Sequence, residues 1–449
     1  MGRNVLWLTM NNDLEGLRFF IHTFGCQMNE NDSERVAGIL SRAGAQKTDA
    51  PEGADVVLVN TCAVRKKSEE KLFSLLGRLA SLKTKRDFRL GVIGCVAQLR
   101  RSELFERNPA VDFVFGPDNY LELPRLLTQA RVDKFVSTRW SREWHESGPE
   151  AILRADRTSA YVTIMEGCDN FCSYCVVPFT RGREKFRPLG DTLAEVKSLA
   201  ESGYKEVQLL GQNVNSYRNP QDGQSLAGLL ELVNQIRGIE WVRFITSHPK
   251  NFSPDIAKAM KDCAKVCHQL HLPLQSGSTD ILKKMNRGYT KDEYLATIEF
   301  LRDLMPDISL STDVIVGFPG ETEKDFLETL GVLDKVRFTN IFSFRYSPRP
   351  RAAAARMADD VPPEEKKKRL IELQNFQKSI QLEINKSFLG RRIRVLCTGR
   401  SKKDAQVYSG RSEAYQVVNF RSARDFIGQF VEVQILSCGP YSLRGEARD

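Results

Sequence analysis

The chain has 449 residues, 41% of them hydrophobic, and a formal net charge of +9. That length supports two or three domains with cores of their own, which excludes a disordered tail or linker. No run of 18 or more apolar residues occurs and the N-terminus mixes charges into short apolar runs, so neither a membrane span nor a secretory signal is expected, and the cytoplasm is the expected location.

Three segments near the start share a layout in which a short apolar run ends in cysteine: FFIHTFGC at Cys26, DVVLVNTC at Cys62 and RLGVIGC at Cys95. A helical pattern, such as NDSERVAGILSRAG or KSEEKLFSLLGRLASL, follows the run. Strand then helix, three times, predicts an open doubly wound α/β sheet over residues 17–132. The carboxyl ends of its strands line the ligand crevice, so the three thiols should converge at one edge. Ten cysteines are too few for a disulfide scaffold, and in a reducing compartment grouped thiols more often bind metal or do chemistry. Residues 132–157 read as a connector.

From Ala160 six apolar runs alternate with helical segments: YVTIMEG, EVQLLGQ, WVRFITSH, QLHLPLQSG, LSTDVIVGF and NIFSFRYSP. Six such units over residues 154–385 predict an incomplete (β/α)6 barrel. The polar residues at its strand ends, Cys168, Gln212, Asn213, Ser247, His248, Gln275, Asp313 and Arg345, would form its catalytic face. Glu364 to Lys386 reads as a long helix whose charge run is a solvated face. From Lys386 to Asp449, twelve Lys or Arg face six Asp or Glu. Alternating short runs there predict a small antiparallel β-barrel with the charge of a nucleic-acid contact.

The first barrel strand leads into GCDNFCSYC, with Cys168, Cys172 and Cys175 spaced by four and three. A structural zinc site wants four ligands. Three thiolates suit a 4Fe-4S cube with its fourth iron open to a bidentate ligand, such as the amino and carboxylate groups of S-adenosylmethionine. Cys263, Cys267, His268 and His271 do not read as a zinc site, because the histidines run into a strand and face elsewhere. Cys397 and Cys438 read as core thiols. Arg181 and Arg183 read either as contacts to carboxylate or phosphate or as surface salt bridges.

The cysteine motif, placed after a barrel's first strand and carrying the aromatic Tyr174, resembles the radical S-adenosylmethionine superfamily. TFGCQMNENDSE, NTCAVRKKSEE, GCVAQ, VPFTRGRE, LLGQNVNSY, TSHPKN, HLPLQSGS, DVIVGFPGET and YSPRP extend the likeness along nearly the whole chain to the methylthiotransferases, and GQNVNSY and YSPRP to the tRNA-acting MiaB type. The resemblance implies two 4Fe-4S clusters, an auxiliary one on Cys26, Cys62 and Cys95 and a radical-generating one on Cys168, Cys172 and Cys175. It also implies an N-terminal methylthiotransferase domain and, over residues 386–449, an RNA-binding TRAM domain. The implied reaction places a methylthio group on position 2 of isopentenyladenosine beside the anticodon. It consumes two molecules of S-adenosylmethionine, one as methyl donor and one as radical source.

Gln212, Asn213, Ser247, Gln275 and Asp313 are the candidate contacts to S-adenosylmethionine, with VIVGFPGE close to its adenine. Implied partners are the tRNA anticodon stem-loop and a reducing protein; a monomer and no membrane are expected. The alternatives are a methylthiotransferase for threonylcarbamoyl-adenosine or for a ribosomal-protein aspartate, and a non-catalytic iron-sulfur RNA-binding regulator. The chain departs from the tRNA-acting pattern after YSPRP, where Arg351 and Ala352 replace the usual Gly-Thr.

Overall fold

A computed structural model describes residues 13–64, 66–129, 134–144, 152–154, 157–401 and 404–448. The chain forms two compact units, whose boundary runs through the cysteine loop. Residues 166–169 and 175–185 belong with the N-terminal unit, and 170–174 with the unit that extends to the C-terminus.

The first unit is built on a six-stranded, fully parallel sheet. Its order is Gln46–Lys47, Arg18–Phe24, Val56–Thr61, Arg89–Ile93, Phe113–Phe115 and Phe135–Ser137. Val56–Thr61 is buried at every position, as a strand covered on both faces requires. The helix Gln27–Arg42 turns Val36, Ala37, Ile39 and Leu40 to the core with Phe19, Leu58 and Phe115. Phe135–Ser137, inside the stretch read as a connector, is one edge strand; residues 132–133, 145–151 and 155–156 of that stretch lie outside the described ones.

In the second unit six parallel strands follow one another in chain order as two three-stranded sheets. One holds Ser159–Thr163, Glu206–Leu210 and Trp241–Phe244; the other holds Gln269–His271, Ser309–Val316 and Asn340–Arg345. A parallel bridge between Val242 and Val266 continues one sheet into the other. Leu270, Leu310 and Val314 enter the large core with the helices, whereas the alternate residues His271, Ser311 and Asp313 gather on the opposite face. That alternation is what a half-barrel with a packed outside and a polar inside produces.

The helix Pro363–Lys386 is not a solvated rod. Lys366, Arg369, Leu373, Gln377 and Ile380, spaced three and four apart, form a buried stripe, so two members of the charge run lie inside. Arg369 donates to Glu321 Oε1 at 2.9 Å, and the Lys366 ammonium pairs with Asp359.

The C-terminal strands Arg392–Ser401, Asp404–Ser412, Val417–Arg421, Leu443–Arg448 and Phe430–Cys438 close a barrel in that order. All its pairs are antiparallel except Val417–Arg421 with Leu443–Arg448, which is parallel. This connectivity is that of the OB-fold, a barrel widely used for oligonucleotides. The hairpin tip after Ser412 inserts at the amino ends of the half-barrel strands. There Arg243, 1% exposed, donates to Ser412 O at 2.9 Å and Glu413 O at 2.6 Å, and its Nε donates to Glu206 Oε2 at 2.7 Å. Ser309 Oγ donates to Ala414 O at 2.9 Å, and Trp241 meets Phe430 edge-on at 4.7 Å.

Candidate functional site

Within the first unit, Cys26 follows Arg18–Phe24 as N-cap of the next helix, Cys62 follows Val56–Thr61, and Cys95 opens the helix Cys95–Arg100 after Arg89–Ile93. These three strands are neighbours and run parallel, so all three thiols stand at one carboxyl edge. Gly94 turns the chain into Cys95 at φ +87°, and a Cβ there would fall 2.2 Å from Asn60 Oδ1. Only glycine fits that turn. Asn60 accepts from Asn29 Nδ2 at 3.0 Å and donates to Asn29 O and Ser33 Oγ, both at 2.9 Å, so amides brace the turns that carry Cys26 and Cys95.

The sulfurs communicate. A hydrogen bond from Cys62 pulls the Cys26 thiol down to about 6 against the effect of burial, and pushes Cys62 upward. Cys95 is pushed up by burial and opposed by Arg181. A thiolate-prone sulfur with two thiols beside it is a donor set that suits a soft metal centre. Among the described residues no three side chains close around a point as a single ion would require. A four-iron cube, by contrast, takes each thiolate on a different iron.

Arg181, in the segment after Cys175, is 2% exposed and lies against this edge. Its Nε donates to Cys95 Sγ at 3.3 Å, and its two terminal nitrogens grip Asp32, one of them at 3.2 Å. Around this pair, Lys185 bonds both Asp118 and Glu166, and Arg35 reaches Glu166 Oε1 at 3.3 Å. Burial alone would raise the Glu166 carboxyl, but Lys185, Arg35 and Arg181 hold it down at about 2. The short helix Val177–Thr180, which links Cys175 to Arg181, packs on Cys95–Arg100.

Gly167, at φ +83°, precedes Cys168, and a Cβ on it would meet Arg183 O at 2.0 Å. Cys168 N donates to Gly182 O at 3.2 Å, and Cys175 Sγ accepts from Val177 N at 3.4 Å. Arg183 is exposed and pairs with Asp169, a surface salt bridge.

In the second unit Cys172 Sγ lies 3.3 Å from Arg287 Nη1 and 3.7 Å from His248 Nε2. His248 Nδ1 accepts from Lys250 N at 3.3 Å, which leaves the ring proton on Nε2, pointing at the sulfur. Burial, with Arg287 and Lys250 close by, pushes the His248 pKa down to about 2, so the ring is neutral.

Asn251 Oδ1 accepts from both Asn170 and Asn213 at 3.1 Å, tying the cysteine loop to the end of Glu206–Leu210. The backbone N–H groups of Gln212 and Asn213 donate to Met165 Sδ, at 3.2 and 3.4 Å. Ser247 is buried and its Oγ makes no hydrogen bond among the described residues. Gln275 is buried and bridges to Asp313 O through its backbone N–H at 2.8 Å.

Asp313 lies inside its strand, not past its end, where it meets His271 Nε2 at 3.3 Å. Glu321, within VIVGFPGE, accepts from Gly317 N at 2.7 Å and from Arg369, so it braces that loop. Cys263 and Cys267 are buried thiols, and Cys397 sits in the barrel core.

Phe171, Thr246, Gln275 and Asn286 all have positive φ, at 47°, 76°, 72° and 55°. Such strain costs about 1–3 kcal/mol per residue and collects where a site imposes it. These four residues precede or belong to the residues around Cys172 and the strand ends. Arg351, at φ +68°, adopts the left-handed conformation that favours glycine.

Comparison with known proteins fits this division. The Radical SAM superfamily matches residues 162–333, the TRAM domain 386–447, and the uncharacterized protein family UPF0004 matches 18–116. In solved structures the fold resembles the Kitasatospora setae radical S-adenosylmethionine methyltransferase TsrM, at a TM-score of 0.55 and 14% identity over 84% of this chain and 77% of that one. It also resembles the cobalamin-dependent S-adenosylmethionine radical enzyme OxsB, at 0.52 and 14% identity over 82% of this chain, which spans 56% of that longer one.

Full-length relatives are far closer in sequence. Proteins named tRNA-2-methylthio-N(6)-dimethylallyladenosine synthase are 46% identical in Acetivibrio thermocellus, over 95% of this chain and 90% of theirs, and 47% identical in an Acidovorax species, over 96% and 97%. With two cysteine triplets at the strand ends of a doubly wound sheet and a radical-type half-barrel, and with identity of that order end to end, the chain belongs to the family of the tRNA-2-methylthio-N(6)-dimethylallyladenosine synthases.

Proposed function

We propose that the chain transfers a methylthio group to position 2 of the isopentenyl (dimethylallyl) adenosine beside the anticodon of tRNA. The observation that carries the reading is the gathering of Cys26, Cys62 and Cys95 at one sheet edge, a second thiolate set beyond the one a radical S-adenosylmethionine enzyme needs. Two 4Fe-4S clusters fit these sets: Cys168, Cys172 and Cys175 would hold one with an open iron, and Cys26, Cys62 and Cys95 the other. When bound, the open-iron cluster and S-adenosylmethionine supply the radical chemistry that an unactivated aromatic C–H requires, and a second S-adenosylmethionine supplies the methyl group.

The chain's own residues prepare those positions. Arg287 and neutral His248 aim N–H groups at the Cys172 sulfur and so supply it with hydrogen-bond donors. Asn213, through Asn251, fixes the loop to the barrel, and the buried Ser247 hydroxyl and Gln275 amide are the polar groups offered to the amino-acid and ribose portions of S-adenosylmethionine, with Gln212 and Asp313. The packed core beneath the strand ends keeps bulk water out of the half-barrel wall. A reducing protein partner, a monomeric state and a cytoplasmic location belong to the same reading.

Mass spectrometry of tRNA nucleosides from cells lacking the chain tests it. Loss of the methylthio group from isopentenyladenosine, with the isopentenyl group kept, is the expected result. Loss from threonylcarbamoyl-adenosine would reassign the substrate, and unchanged tRNA would reject the reading.

The C-terminal barrel supplies the RNA surface. Its loop between Phe430–Cys438 and Leu443–Arg448 is one of the two that OB-folds use for oligonucleotides. Asn385 pins that loop through Gly439 O at 2.8 Å, leaving Tyr441 69% exposed at its tip. A stacked base is worth about 1–3 kcal/mol, so Tyr441→Ala should weaken binding of an anticodon stem-loop between about fivefold and a hundredfold. Fluorescence anisotropy would measure it, and equal affinity would remove Tyr441 from the interface.

A further inference from the structure

The geometry points to Arg181 as a positioning residue that donates a hydrogen bond to the Cys95 sulfur and raises the reduction potential of the cluster bound there. This inference rests on the reading that Cys26, Cys62 and Cys95 carry a second cluster. A guanidinium is the donor best matched to both jobs, because one edge grips a carboxylate while Nε remains free for a second acceptor. Arg181 does both: its terminal nitrogens take Asp32, and Nε–H donates to Cys95 Sγ at 3.3 Å. Both residues of the pair are at least 98% buried, so neither partner is screened by water.

The pair stands apart from ordinary charge neutralisation. Asp32 comes from the helix that Cys26 caps, and Arg181 from the segment beyond Cys175, joined by the helix that packs against Cys95–Arg100. The contact therefore links the turns bearing Cys26 and Cys95 to the strand of chain that follows the other cysteine motif. Cys172 has a counterpart contact from Arg287 at 3.3 Å. In each cysteine set, then, a buried guanidinium donates to a sulfur. Hydrogen bonds to the sulfurs and local positive charge are among the factors that set cluster potentials, and both move a potential upward.

The test uses full-length protein purified anaerobically in a C168A/C172A/C175A background, so that only the first set can hold iron. Two variants are compared there: R181K, which keeps the charge and loses the Nε–H bond, and R181Q/D32N, which removes both charges and so leaves no buried carboxylate alone. Iron content, thermal melting and the EPR-monitored midpoint of reduction are read for each. The expected result is retained iron and melting in R181K, with a cluster about tenfold harder to reduce at fixed potential, 59 mV for one electron, and a larger shift or loss of iron in the double variant. Unchanged midpoints and EPR signals in both variants, with iron retained, would overturn the role of Arg181 while leaving the second cluster standing. A background protein that holds no iron at all would instead overturn the second cluster, and the inference with it.

Discussion

Replacing Cys26, Cys62 and Cys95 together with alanine should remove about four irons and four sulfides per chain, and replacing Cys168, Cys172 and Cys175 should remove a separate four. The two losses should differ in kind. Without the second set, S-adenosylmethionine has no open iron to bind, so 5′-deoxyadenosine formation and methylthio product should both disappear. Without the first set, reductive formation of 5′-deoxyadenosine should persist while the methylthio product disappears, because the sheet edge at Cys26, Cys62 and Cys95 belongs to a different unit from the half-barrel strands. The triplets differ in burial: Cys168, Cys172 and Cys175 are only partly buried, as is Cys26, whereas Cys62 and Cys95 are buried. Circular dichroism and melting should therefore stay near the parent protein's for the Cys168, Cys172 and Cys175 variant, and they serve as the fold control for the other. Loss of all iron from either triple variant would mean that the six cysteines serve one centre, and full iron in either would remove that set from metal binding.

Much of this site is legible in the chain alone, for a definite reason. In a doubly wound sheet a residue just after a strand has its position set by topology, so an apolar run ending in Cys26, Cys62 or Cys95 already specifies the edge. The same rule marks Gln212, Ser247 and Gln275. It misplaces Asp313 because the run LSTDVIV continues as strand to Val316, and alternation rather than termination decides where that carboxylate faces. Arg287, Asn251 and Asp32 carry no such mark. They are polar residues in helical or turn sequence, and only the tertiary fold tells a buried Asp32–Arg181 pair from a solvated one.

The charge run after Glu364 misleads in the same way, since spacing shows that Lys366 and Arg369 share a face with Leu373 but charge alone suggests water. The strands Gln46–Lys47, Phe113–Phe115 and Phe135–Ser137 are too short to display a period. The parallel pair in the C-terminal barrel escapes as well, because strand direction belongs to a pairing and not to one segment.

Arg243→Met should be the most destabilising single change in the half-barrel, and it alters what removal of the C-terminal barrel means. Cutting the chain after Lys386 looks from the sequence like a simple loss of RNA affinity. The fold adds a second cost. Arg243 is fully enclosed, shares Glu206 with Ser159 and Gln208 at 2.8 Å each, and sends its two terminal nitrogens to the carbonyls of Ser412 and Glu413. It also lies between Trp241 and Tyr415, 5.0 and 4.9 Å from their rings.

Breaking a buried pair by removing one partner costs about 3–5 kcal/mol, because the other charge is left without compensation. R243M should therefore lower the melting temperature of the second unit clearly and speed proteolysis within it. R243M/E206Q should recover part of the loss, since it buries no lone carboxylate. Truncation after Lys386 should resemble R243M in melting, and Tyr441→Ala should resemble it only in RNA binding. Differential scanning calorimetry of the four proteins separates the two effects. Parent-like melting of R243M would show that the hairpin tip contributes nothing to the half-barrel and that the C-terminal barrel serves RNA alone.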